Sequence, residues 1–303
     1  PTLPPPTHPT TMQVSRPVED GRHKTPLAGE YGVVTRHGNK AHKIFKLDEN
    51  EDDPHTPDLF LSMKREDTAL RLLTERKVPH VPRLIKSGVN IVRGEDGALH
   101  PEGIIVMTWC GEPVEGPAKS EEELRVIART LTEVLVAIHT LGLMHRDIKV
   151  ENLVRDPTTG AVTLVDFGIS RQTAYDPLGL PAPMTAGVAC IAHRAPEASF
   201  AVCCGREEVS YTPAIDIWSM GSTLLELVTG VDEMPFDSGW DEIRRVVMAD
   251  VRTQLEKTLS KSGADFIMCC LKVAPSLRPS AKTLLKHPWL TQDDGRGRRE
   301  SKD

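Results

Sequence analysis

The clearest hydrophobic periodicity in the chain lies between residues 120 and 141. Ser120 and Glu123 have the spacing of a helix capping box, in which side chains accept hydrogen bonds from backbone amides of the first turn. Apolar residues then recur every three or four positions, which predicts a long amphipathic helix that ends near Leu141. The apolar positions are Leu124, Ile127, Leu131, Leu135 and Ile138. We interpret this apolar stripe as core and not as a partner site.

A second helix is predicted from Leu59 to Lys77, where leucines recur with helical spacing. The stretch before it, residues 48–58, is acidic and contains two prolines, which favours a loop. Farther upstream, the Gly38-Asn39 pair separates two strand-like runs and is typical of a tight hairpin turn. Other strand-like runs lie at residues 81–84 and 103–107. The leucines in the predicted helix are Leu61, Leu70 and Leu73.

Between residues 145 and 168, polar stretches alternate with short apolar ones. A polar loop that ends at Asn152 is followed by an apolar run, a turn at residues 156–160, and a second apolar run that reaches Asp166. This pattern predicts a hairpin that holds Asp147, Asn152 and Asp166 at one end. Two carboxylates and an amide suit a hard divalent cation and a hydroxyl proton, not a soft metal.

This region resembles the catalytic and metal-binding loops of the eukaryotic-type serine/threonine protein kinases. The resemblance is carried by His145-Arg146-Asp147-Ile148-Lys149-Val150-Glu151-Asn152, by Asp166-Phe167-Gly168, and by Ala195-Pro196-Glu197. Each motif is weak alone, but their order and spacing together are hard to reach by chance.

The resemblance extends over about residues 27–291 and implies an α+β, bilobal protein kinase-like fold. A small β-rich N-lobe with one main helix is expected at about residues 27–110, and a larger, mainly α-helical C-lobe at about residues 111–291. Residues 1–26 are rich in proline and threonine, which predicts a flexible tail. Residues 292–303 are expected to form a charged C-terminal tail.

The resemblance also implies an activity, which is transfer of the ATP γ-phosphoryl group to Ser or Thr hydroxyls of protein substrates, with Mg²⁺. Asp147 would orient the hydroxyl and accept its proton, and Lys149 would offset charge on the moving phosphoryl group. Asn152 and Asp166 would hold the magnesium ions. A lysine at position 149 favours Ser/Thr over Tyr specificity in this family.

Expectations for the nucleotide phosphates come from the same resemblance. Gly29, Gly32 and Val34 match the glycine-rich turn that covers the nucleotide, while Leu27 stands where the first glycine would be. Lys43 is nominated as the phosphate-binding lysine, and Lys46 is interpreted as a solvent-facing strand residue.

Further nucleotide-binding expectations lie along the predicted helix and strands. Glu66 would form an ion pair with the nominated lysine, with Asp67 as the near alternative. Met107 would be the gatekeeper before the hinge between the lobes, and the backbone of Thr108 and Cys110 would bind the adenine edge. Two apolar residues complete the expected nucleotide site, Ala41 and Val154.

Residues 169–194 are expected to be a mobile activation segment because they are rich in Pro, Gly and small residues. Thr185 falls where many kinases carry an activating phosphate, which an upstream kinase would add and Arg146 could bind. An unmodified loop threonine is the alternative. At the family's usual threonine position, seven residues before Glu197, the chain has Cys190, a weaker hydrogen-bonding group.

Two structural contacts are also implied by the resemblance. The helix that contains Asp216 would be buried, and this carboxylate would brace the backbone of the His145-Arg146-Asp147 motif. Arg278 would form a buried ion pair with Glu197.

A pseudokinase that acts as a nucleotide-binding scaffold is the alternative function. Leu27 and Cys190 favour this alternative because they depart from the active family pattern. The joint presence of four functional residues opposes it, and these are Lys43, Asp147, Asn152 and Asp166.

Composition limits the remaining classes. With 39% hydrophobic and 26% charged residues the chain is typical of a globular protein, and a net charge of −6 argues against nucleic-acid binding. No apolar run approaches membrane-spanning length. The six cysteines form no Cys-x-x-Cys pair, which disfavours a zinc site and predicts free, mostly buried thiols. An intracellular protein, cytoplasmic or nuclear, is therefore expected.

Overall fold

The chain divides into two compact units in the computed structural model. The N-terminal unit comprises Pro1–Arg71 and Arg83–Trp109, and the C-terminal unit comprises Leu72–Pro82 and Cys110–Asp303. The structure describes residues 27–29, 32–47, 59–94, 97–173, 183–185, 193–205, 208–210, 212–230 and 242–291. The expected tails and Cys190 lie outside these described residues.

The N-terminal unit contains an antiparallel sheet with the strand order β1-β2-β3-β5-β4. Its strands and helix are β1 (Leu27–Gly29), β2 (Gly32–His37), β3 (Lys40–Lys46), α1 (Leu59–Glu75), β4 (Leu84–Arg93) and β5 (Leu99–Thr108), and the end of α1 from Leu72 belongs to the C-terminal unit. The hairpin turn at Gly38 and Asn39 is confirmed, and Gly38 has the positive φ of 62° that such a turn requires. The strand predicted at residues 81–84 is wrong in position, because β4 begins only at Leu84.

Helix α1 buries apolar residues along one side from Met63 to Leu73. Leu70 and Leu73 are completely buried, as their spacing predicts, whereas Leu61 near the start of the helix is exposed. A side chain at Gly103 of β5 would collide with Met63 of α1. Glycine at that position therefore allows the helix to pack closely against the sheet.

The C-terminal unit is mainly helical. Its helices are α2 (Glu121–Thr140), α3 (Pro196–Cys203), α4 (Ala214–Thr229), α5 (Glu242–Thr258), α6 (Lys261–Cys270), α7 (Ala281–Leu284) and α8 (Pro288–Thr291). Short strands form three small sheets, β6-β8-β9, β7-β10 and β11-β12. They are β6 (Glu112–Pro113), β7 (Leu143–Met144), β8 (Leu153–Arg155), β9 (Val162–Leu164), β10 (Arg171–Gln172), β11 (Pro183–Thr185) and β12 (Glu208–Ser210). None of the helices among the described residues is both long and apolar enough to span a lipid bilayer.

The start of α2 follows its sequence signal. The Ser120 side chain accepts a hydrogen bond from the Glu123 amide at 3.2 Å, and the Glu123 carboxylate accepts one from the Lys119 amide at 2.7 Å. The cap is therefore present, but the Glu123 carboxylate accepts from the amide of Lys119, whereas in a capping box it would accept from the amide of Ser120. The stripe from Leu124 to Ile138 is buried, which confirms its interpretation as core.

Arg278 and Glu197 form the predicted ion pair. Both guanidinium Nη atoms of Arg278 donate to the two oxygens of Glu197 at 2.7 Å. The same guanidinium donates to the carbonyls of Lys272, Val273 and Ala214. This fork ties the start of α3 to the start of α4 and to the chain before residue 275, and its geometry is one that arginine provides and lysine does not.

The expectation of mostly buried thiols is wrong for the four cysteines whose side chains the structure describes. Cys270 is buried, Cys110 and Cys269 are half-buried, and Cys204 is exposed, and all four are free thiols. Burial raises the pKa of the Cys270 thiol. Sequence alone did not distinguish these positions because adjacent residues on a helix point in different directions.

Glu121, the first residue of α2, joins three parts of the C-terminal unit. Its carboxylate accepts hydrogen bonds from the Ser260 hydroxyl at 2.6 Å, the Ser260 amide at 2.9 Å and the Trp289 indole at 2.8 Å. Burial alone would raise the pKa of Glu121, but these hydrogen bonds and the charge of Arg125 lower it overall.

Glu121→Gln is expected to lower the free energy of unfolding at neutral pH and to matter less in acid. A carboxyl group with a lowered pKa in the folded state stabilises the fold above its unfolded pKa, near 4.5. That contribution is lost as the pH falls through the lower, folded pKa. Urea unfolding of both proteins from about pH 7 to about pH 3 measures the difference. A difference that stays constant over this range would contradict the expectation.

Candidate active site

The hairpin of β8 and β9 brings the predicted metal-binding residues to one end. Leu153, the first residue of β8, is paired with Leu164, the last residue of β9. Asn152, which precedes β8, and Asp166, which comes after β9, therefore lie at the same end of the hairpin. The Val165 amide also donates to the Asn152 carbonyl at 2.9 Å. The predicted hairpin is therefore confirmed.

The Asp147 carboxylate is buried and is contacted by two of the other predicted residues. Asn152 Nδ2 donates to Asp147 Oδ2 at 2.9 Å and to the Asp147 carbonyl at 2.7 Å. Lys149 Nζ lies 3.2 Å from the same Oδ2. The structure therefore brings Asp147, Lys149 and Asn152 together around one carboxylate oxygen.

His145 links the two polar loops. Its Nδ1 accepts a hydrogen bond from the Asp147 amide at 3.2 Å, so the proton of the neutral ring lies on Nε2, which donates to the Val165 carbonyl at 3.1 Å. The ring also contacts Phe167 edge-on, with centroids 4.6 Å apart. Burial lowers the pKa of His145, although nearby carboxylates act in the opposite direction. A neutral ring therefore fixes the loop of Asp147 against the loop of Asp166.

Asp216 of α4 holds the backbone of the same loop, as predicted. One carboxylate oxygen accepts from the His145 amide at 3.0 Å and the other from the Arg146 amide at 2.8 Å. His139 Nε2 lies 2.8 Å from Oδ2 and supplies a third contact. Although burial would raise the pKa of Asp216, these contacts lower it. Sequence reasoning missed His139, because no motif marks a contact between residues 77 positions apart.

Two residues of the loops have left-handed backbone conformations without being glycine. Arg146 has φ 75° and Asp166 has φ 63°. Each such residue costs on the order of 1–3 kcal/mol and persists only where surrounding contacts hold it. The Arg146 amide donates to Asp216, and the Gly168 amide donates to Asp166 Oδ1 at 3.1 Å. Both hydrogen bonds are contacts of this kind.

The donor groups at this end of the hairpin fit a magnesium ion. The Asn152 amide nitrogen donates to Asp147, which leaves the amide oxygen as the ligand atom of that side chain. Asp166 adds a carboxylate, and oxygen donors of these kinds are those that Mg²⁺ prefers. Val154, in the middle of β8, is half-buried.

In the N-terminal unit, Lys43 contacts Glu66. Lys43 Nζ lies 2.8 Å from Glu66 Oε2, and the two residues are 4% and 1% exposed. Asp67 instead contacts Arg71 at 2.9 Å and Ser87 at 2.6 Å. Of the two acids considered on α1, Glu66 is therefore the one paired with Lys43. The exposed residue Lys46 lies at the end of β3.

The register of the sheet places four predicted residues on one face. Val34 is directly opposite Lys43, and Ala41 is directly opposite Met107. Ala41 and Lys43 are two residues apart on β3, so their side chains project to the same side. Val34, Ala41, Lys43 and Met107 therefore share this face.

The two predicted glycines lie where β1 meets β2. Gly29 is opposite Gly32, and Leu27 is opposite Val34. Gly32 has φ 139°, and a Cβ there would lie 2.6 Å from the Ile44 carbonyl oxygen. Only glycine therefore fits at position 32 without displacing the backbone of β3.

The predicted hinge residues lie at the end of β5 and just after it. The Thr108 amide donates to the Arg83 carbonyl at 3.0 Å, and the Trp109 amide donates to the Asn39 carbonyl at 2.9 Å. The Arg36 guanidinium lies 5.1 Å from the Trp109 ring. Cys110 is the first residue of the long segment of the C-terminal unit. These contacts fix the end of β5 against the hairpin turn of the N-terminal unit.

The predicted regulatory residues are only partly described. Arg146 is buried, and its Nη1 donates to the Ile169 carbonyl at 3.3 Å. Thr185 lies in β11 and is paired with Glu208 of β12, so the expectation of a loop throughout residues 169–194 is wrong at this strand and at β10. Residues 174–182 and 186–192 lie outside the described part of the chain.

A second cluster, which sequence reasoning did not predict, lies on α6 and before α8. Asp265, Cys269 and His287 each bring one possible metal-binding atom within 4.8 Å of the others. The Trp289 amide donates to His287 Nδ1 at 3.2 Å, so the proton of the neutral ring lies on Nε2, which faces Asp265. A metal-bound histidine needs the opposite arrangement, and burial raises the pKa of the Cys269 thiol. We interpret the cluster as hydrogen-bonded surface groups.

Comparison with known families identifies the family to which the chain belongs. A family model described as protein kinase domain matches residues 31–290, which is most of the chain. This chain is a member of the protein kinase family. The α+β fold class expected for a protein kinase is confirmed, with a β-rich N-terminal unit that contains one helix and a mainly helical C-terminal unit.

Curated relatives of the kinase chain include several protein kinases. It is 31% identical over 188 residues to a probable myosin light chain kinase of Dictyostelium discoideum, which covers 60% of the chain and 56% of the relative. It is 32% identical over 173 residues to mitogen-activated protein kinase kinase kinase ANP1 of Arabidopsis thaliana, which covers 56% of the chain and 24% of the relative. It is 30% identical over 177 residues to serine/threonine-protein kinase sid1 of Schizosaccharomyces pombe, which covers 56% of the chain and 34% of the relative. The kinase chain thus spans little more than half, or less, of these relatives' lengths.

Proposed function

We propose that this kinase, with a domain from about residue 27 to residue 291, transfers the ATP γ-phosphoryl group to Ser or Thr hydroxyls of protein substrates. One observation carries the proposal. Lys149 and Asn152 both contact the buried Asp147 carboxylate, at 3.2 Å and 2.9 Å. A carboxylate held in this way can receive a hydroxyl proton without first having to be oriented.

Asp147 orients the substrate hydroxyl and accepts its proton. Lys149 offsets the negative charge that develops on the phosphoryl group as it moves. Asn152 helps to hold Asp147 through its amide nitrogen, and its amide oxygen would be the atom that holds the metal. His145 and Asp216 keep the loop in its strained conformation, so that little reorganisation is needed during the reaction.

Asn152 and Asp166 would hold the magnesium ions, which supply neutralising charge for the ATP phosphates. Lys43 binds the phosphates, and Glu66 keeps its ammonium group in place. The remaining nucleotide contacts that we assign are Gly29, Gly32, Val34, Ala41, Met107, Thr108, Cys110 and Val154. Of these, Thr108 and Cys110 would act through their backbones.

Ser/Thr specificity is supported by Lys149 and by a relative. The sid1 protein is named as a serine/threonine-protein kinase, and the chain is 30% identical to it over 177 residues. Regulation by an upstream kinase at Thr185, with Arg146 as the phosphate partner, is part of the proposal. Free thiols in the described cysteines agree with a reducing, intracellular location in the cytoplasm or nucleus.

A nucleotide-binding scaffold without catalysis is the second candidate. It is favoured by Leu27, because the family pattern has glycine at this position. Leu27 lies in β1 opposite Val34. Cys190 also favours it, because the family pattern has threonine at that position. Both departures concern positioning, however, and neither removes a group that takes part in the reaction.

A peptide panel separates the two candidates. Purified protein is incubated with ATP and Mg²⁺ on peptides whose only hydroxyl residue is Ser, Thr or Tyr, and nucleotide binding is measured in parallel. Phosphate on Ser and Thr but not Tyr supports the proposal. Nucleotide binding without phosphate on any peptide, also after Thr185→Glu, supports the scaffold and contradicts the proposed enzyme.

A further inference from the structure

The sheet of the N-terminal unit has a second side, opposite the one that carries Lys43, and the proposed reaction does not use it. His42 precedes Lys43 on β3, so its side chain projects to this second side. Lys40 lies two residues before His42 and projects in the same direction. Lys86 of β4 joins them, because it and His42 are both paired with Val106 of β5. Three basic side chains therefore lie on the side of the sheet away from the predicted nucleotide contacts.

His37 adds a fourth basic group to the same side. It is opposite Lys40 in the pairing of β2 with β3. Its ring stacks on the ring of His42, with the centroids 4.3 Å apart, and the Thr35 hydroxyl lies 3.1 Å from its Nε2. We name this group of side chains the basic face, and its members are His37, Lys40, His42 and Lys86.

Positive charge dominates the basic face. Burial lowers the pKa of His42 most, and the positive charges of its three neighbours on the basic face lower it further. All three neighbours act in the same direction, so the electrostatic field at this ring is positive. The chain as a whole has a net charge of −6. The basic face is therefore a local exception that favours a negatively charged partner.

An apolar strip crosses the sheet beside the basic face. It consists of Ile44, Ile104 and Gly88, which are paired in that order across β3, β5 and β4. Both isoleucines are half-buried, and a Cβ added at Gly88 would meet no further atom of the described residues within 4 Å. Glu102, opposite Lys46, lies in the next row beyond the strip. The strip is therefore open apolar surface, with basic groups along one side and one acid and one lysine along the other.

These features fit an extended acidic peptide. One apolar side chain of such a peptide can cover the isoleucines, while its carboxylates lie against the lysines and histidines. A nucleic acid or an anionic membrane spreads its charge over an area much wider than the basic face, and the net charge of −6 repels it. Carboxylates beside the rings also favour protonated histidine, so binding of the peptide is coupled to proton uptake.

We propose that the basic face binds an extended acidic segment of a partner protein, one apolar residue of which rests on the apolar strip. The carboxylates of the segment lie against Lys40 and Lys86, which are exposed, and against the two stacked histidine rings. This side of the sheet does not carry Lys43, so binding there does not depend on phosphoryl transfer.

Fluorescence anisotropy with a labelled synthetic peptide and the full chain tests the proposal. The probe is a short peptide in which one isoleucine is flanked on both sides by glutamates. Lys86→Glu is expected to weaken its binding about tenfold, because the reversed charge repels the nearby carboxylates. Lys64→Glu is the matched control, since Lys64 is an exposed residue of α1 and the change in net charge is the same. The control should stay within about twofold of the unmodified chain, and equal weakening in both variants would overturn the proposal.

Changes in the probe test both parts of the site. Replacement of the glutamates by glutamines should abolish binding, and replacement of the isoleucine by glycine should weaken it about fivefold. Binding that survives the loss of the glutamates would overturn the role of the basic face. Equal binding of the glycine probe would overturn the role of the apolar strip.

The histidine rings predict a pH dependence of probe binding. The glutamates of the probe stay ionised at about pH 6, so affinity should rise between about pH 8 and about pH 6 as His42 gains a proton. In His42→Gln this rise should be smaller, because one of the two rings is gone. An equal rise in both proteins would overturn the role of this ring.

Other occupants of the basic face give different results. Self-association of the chain that Lys86→Glu abolishes, without binding of the probe, would assign the face to a second copy and overturn the proposal. Failure of a folded, active kinase to bind the probe would also overturn it, while the proposed function would stand. Binding of the probe by a chain without turnover would support the docking surface and count against the proposed enzyme.

Discussion

Asp147→Asn is expected to reduce phosphoryl transfer by about a thousandfold and to leave the protein folded. The amide cannot accept the hydroxyl proton, and general-base contributions are typically about 10²–10⁴-fold. The variant keeps the shape of the side chain and an oxygen that can accept from Asn152, whose Nδ2 lies 2.9 Å from Oδ2 in the unmodified chain. Steady-state turnover on the preferred peptide and a thermal unfolding curve measure the two parts of this expectation.

Asp156→Asn is the matched control for this change. Asp156 lies in the turn between β8 and β9, where its side chain accepts from the amides of Thr158 and Thr159 at 2.7 Å and 3.0 Å. Asparagine can form the same turn, so turnover should remain within about twofold. If Asp147→Asn retained a similar rate, Asp147 would not be the proton acceptor.

Lys43→Met is expected to remove activity and also to destabilise the N-terminal unit. The substitution leaves the Glu66 carboxylate, which is 1% exposed, without its ammonium partner. Breaking a buried pair from one side typically costs about 3–5 kcal/mol, because the remaining charge stays buried. Urea unfolding gives the free energy, and turnover at saturating peptide gives the activity.

The double variant Lys43→Met/Glu66→Met separates stability from function. With both charges replaced by apolar side chains, most of the lost stability should return, because such replacement is often neutral. Activity should not return, since the nucleotide phosphates still lack their lysine. Lys46→Met, at an exposed position on the same strand, should change stability by less than about 1 kcal/mol. Activity in the double variant would contradict the role assigned to Lys43.

Features encoded by neighbouring residues could be predicted from the sequence. The turn at Gly38 and Asn39, the cap at Ser120 and the apolar stripe of α2 each follow from a local pattern of side chains. The hairpin that carries Asn152 and Asp166 is also local, because a short turn joins its two apolar strands. Local chemistry is sufficient in these cases since the interacting groups are close along the chain.

Contacts across long sequence separations were predictable only where a family motif marked them. Family motifs mark the bracing role of Asp216 and the ion pair of Arg278 with Glu197, whereas no motif marks the His139 contact or the Ser260 and Trp289 contacts of Glu121. Strand β4 was placed too early, because Lys86, Ser87 and Gly88 interrupt its apolar run. Leu61 is exposed because 3.6 residues per turn place it on about the opposite side of the helix from the buried Leu70.

Transfer of labelled γ-phosphate from ATP to a serine peptide, with and without Mg²⁺, measures directly whether the chain is an active kinase. Label is expected on the serine hydroxyl, in a reaction that requires Mg²⁺ and that is lost in Asp147→Asn. The contradictory result is a folded, nucleotide-binding protein that transfers no label, or that transfers it equally well when Asp147 is replaced.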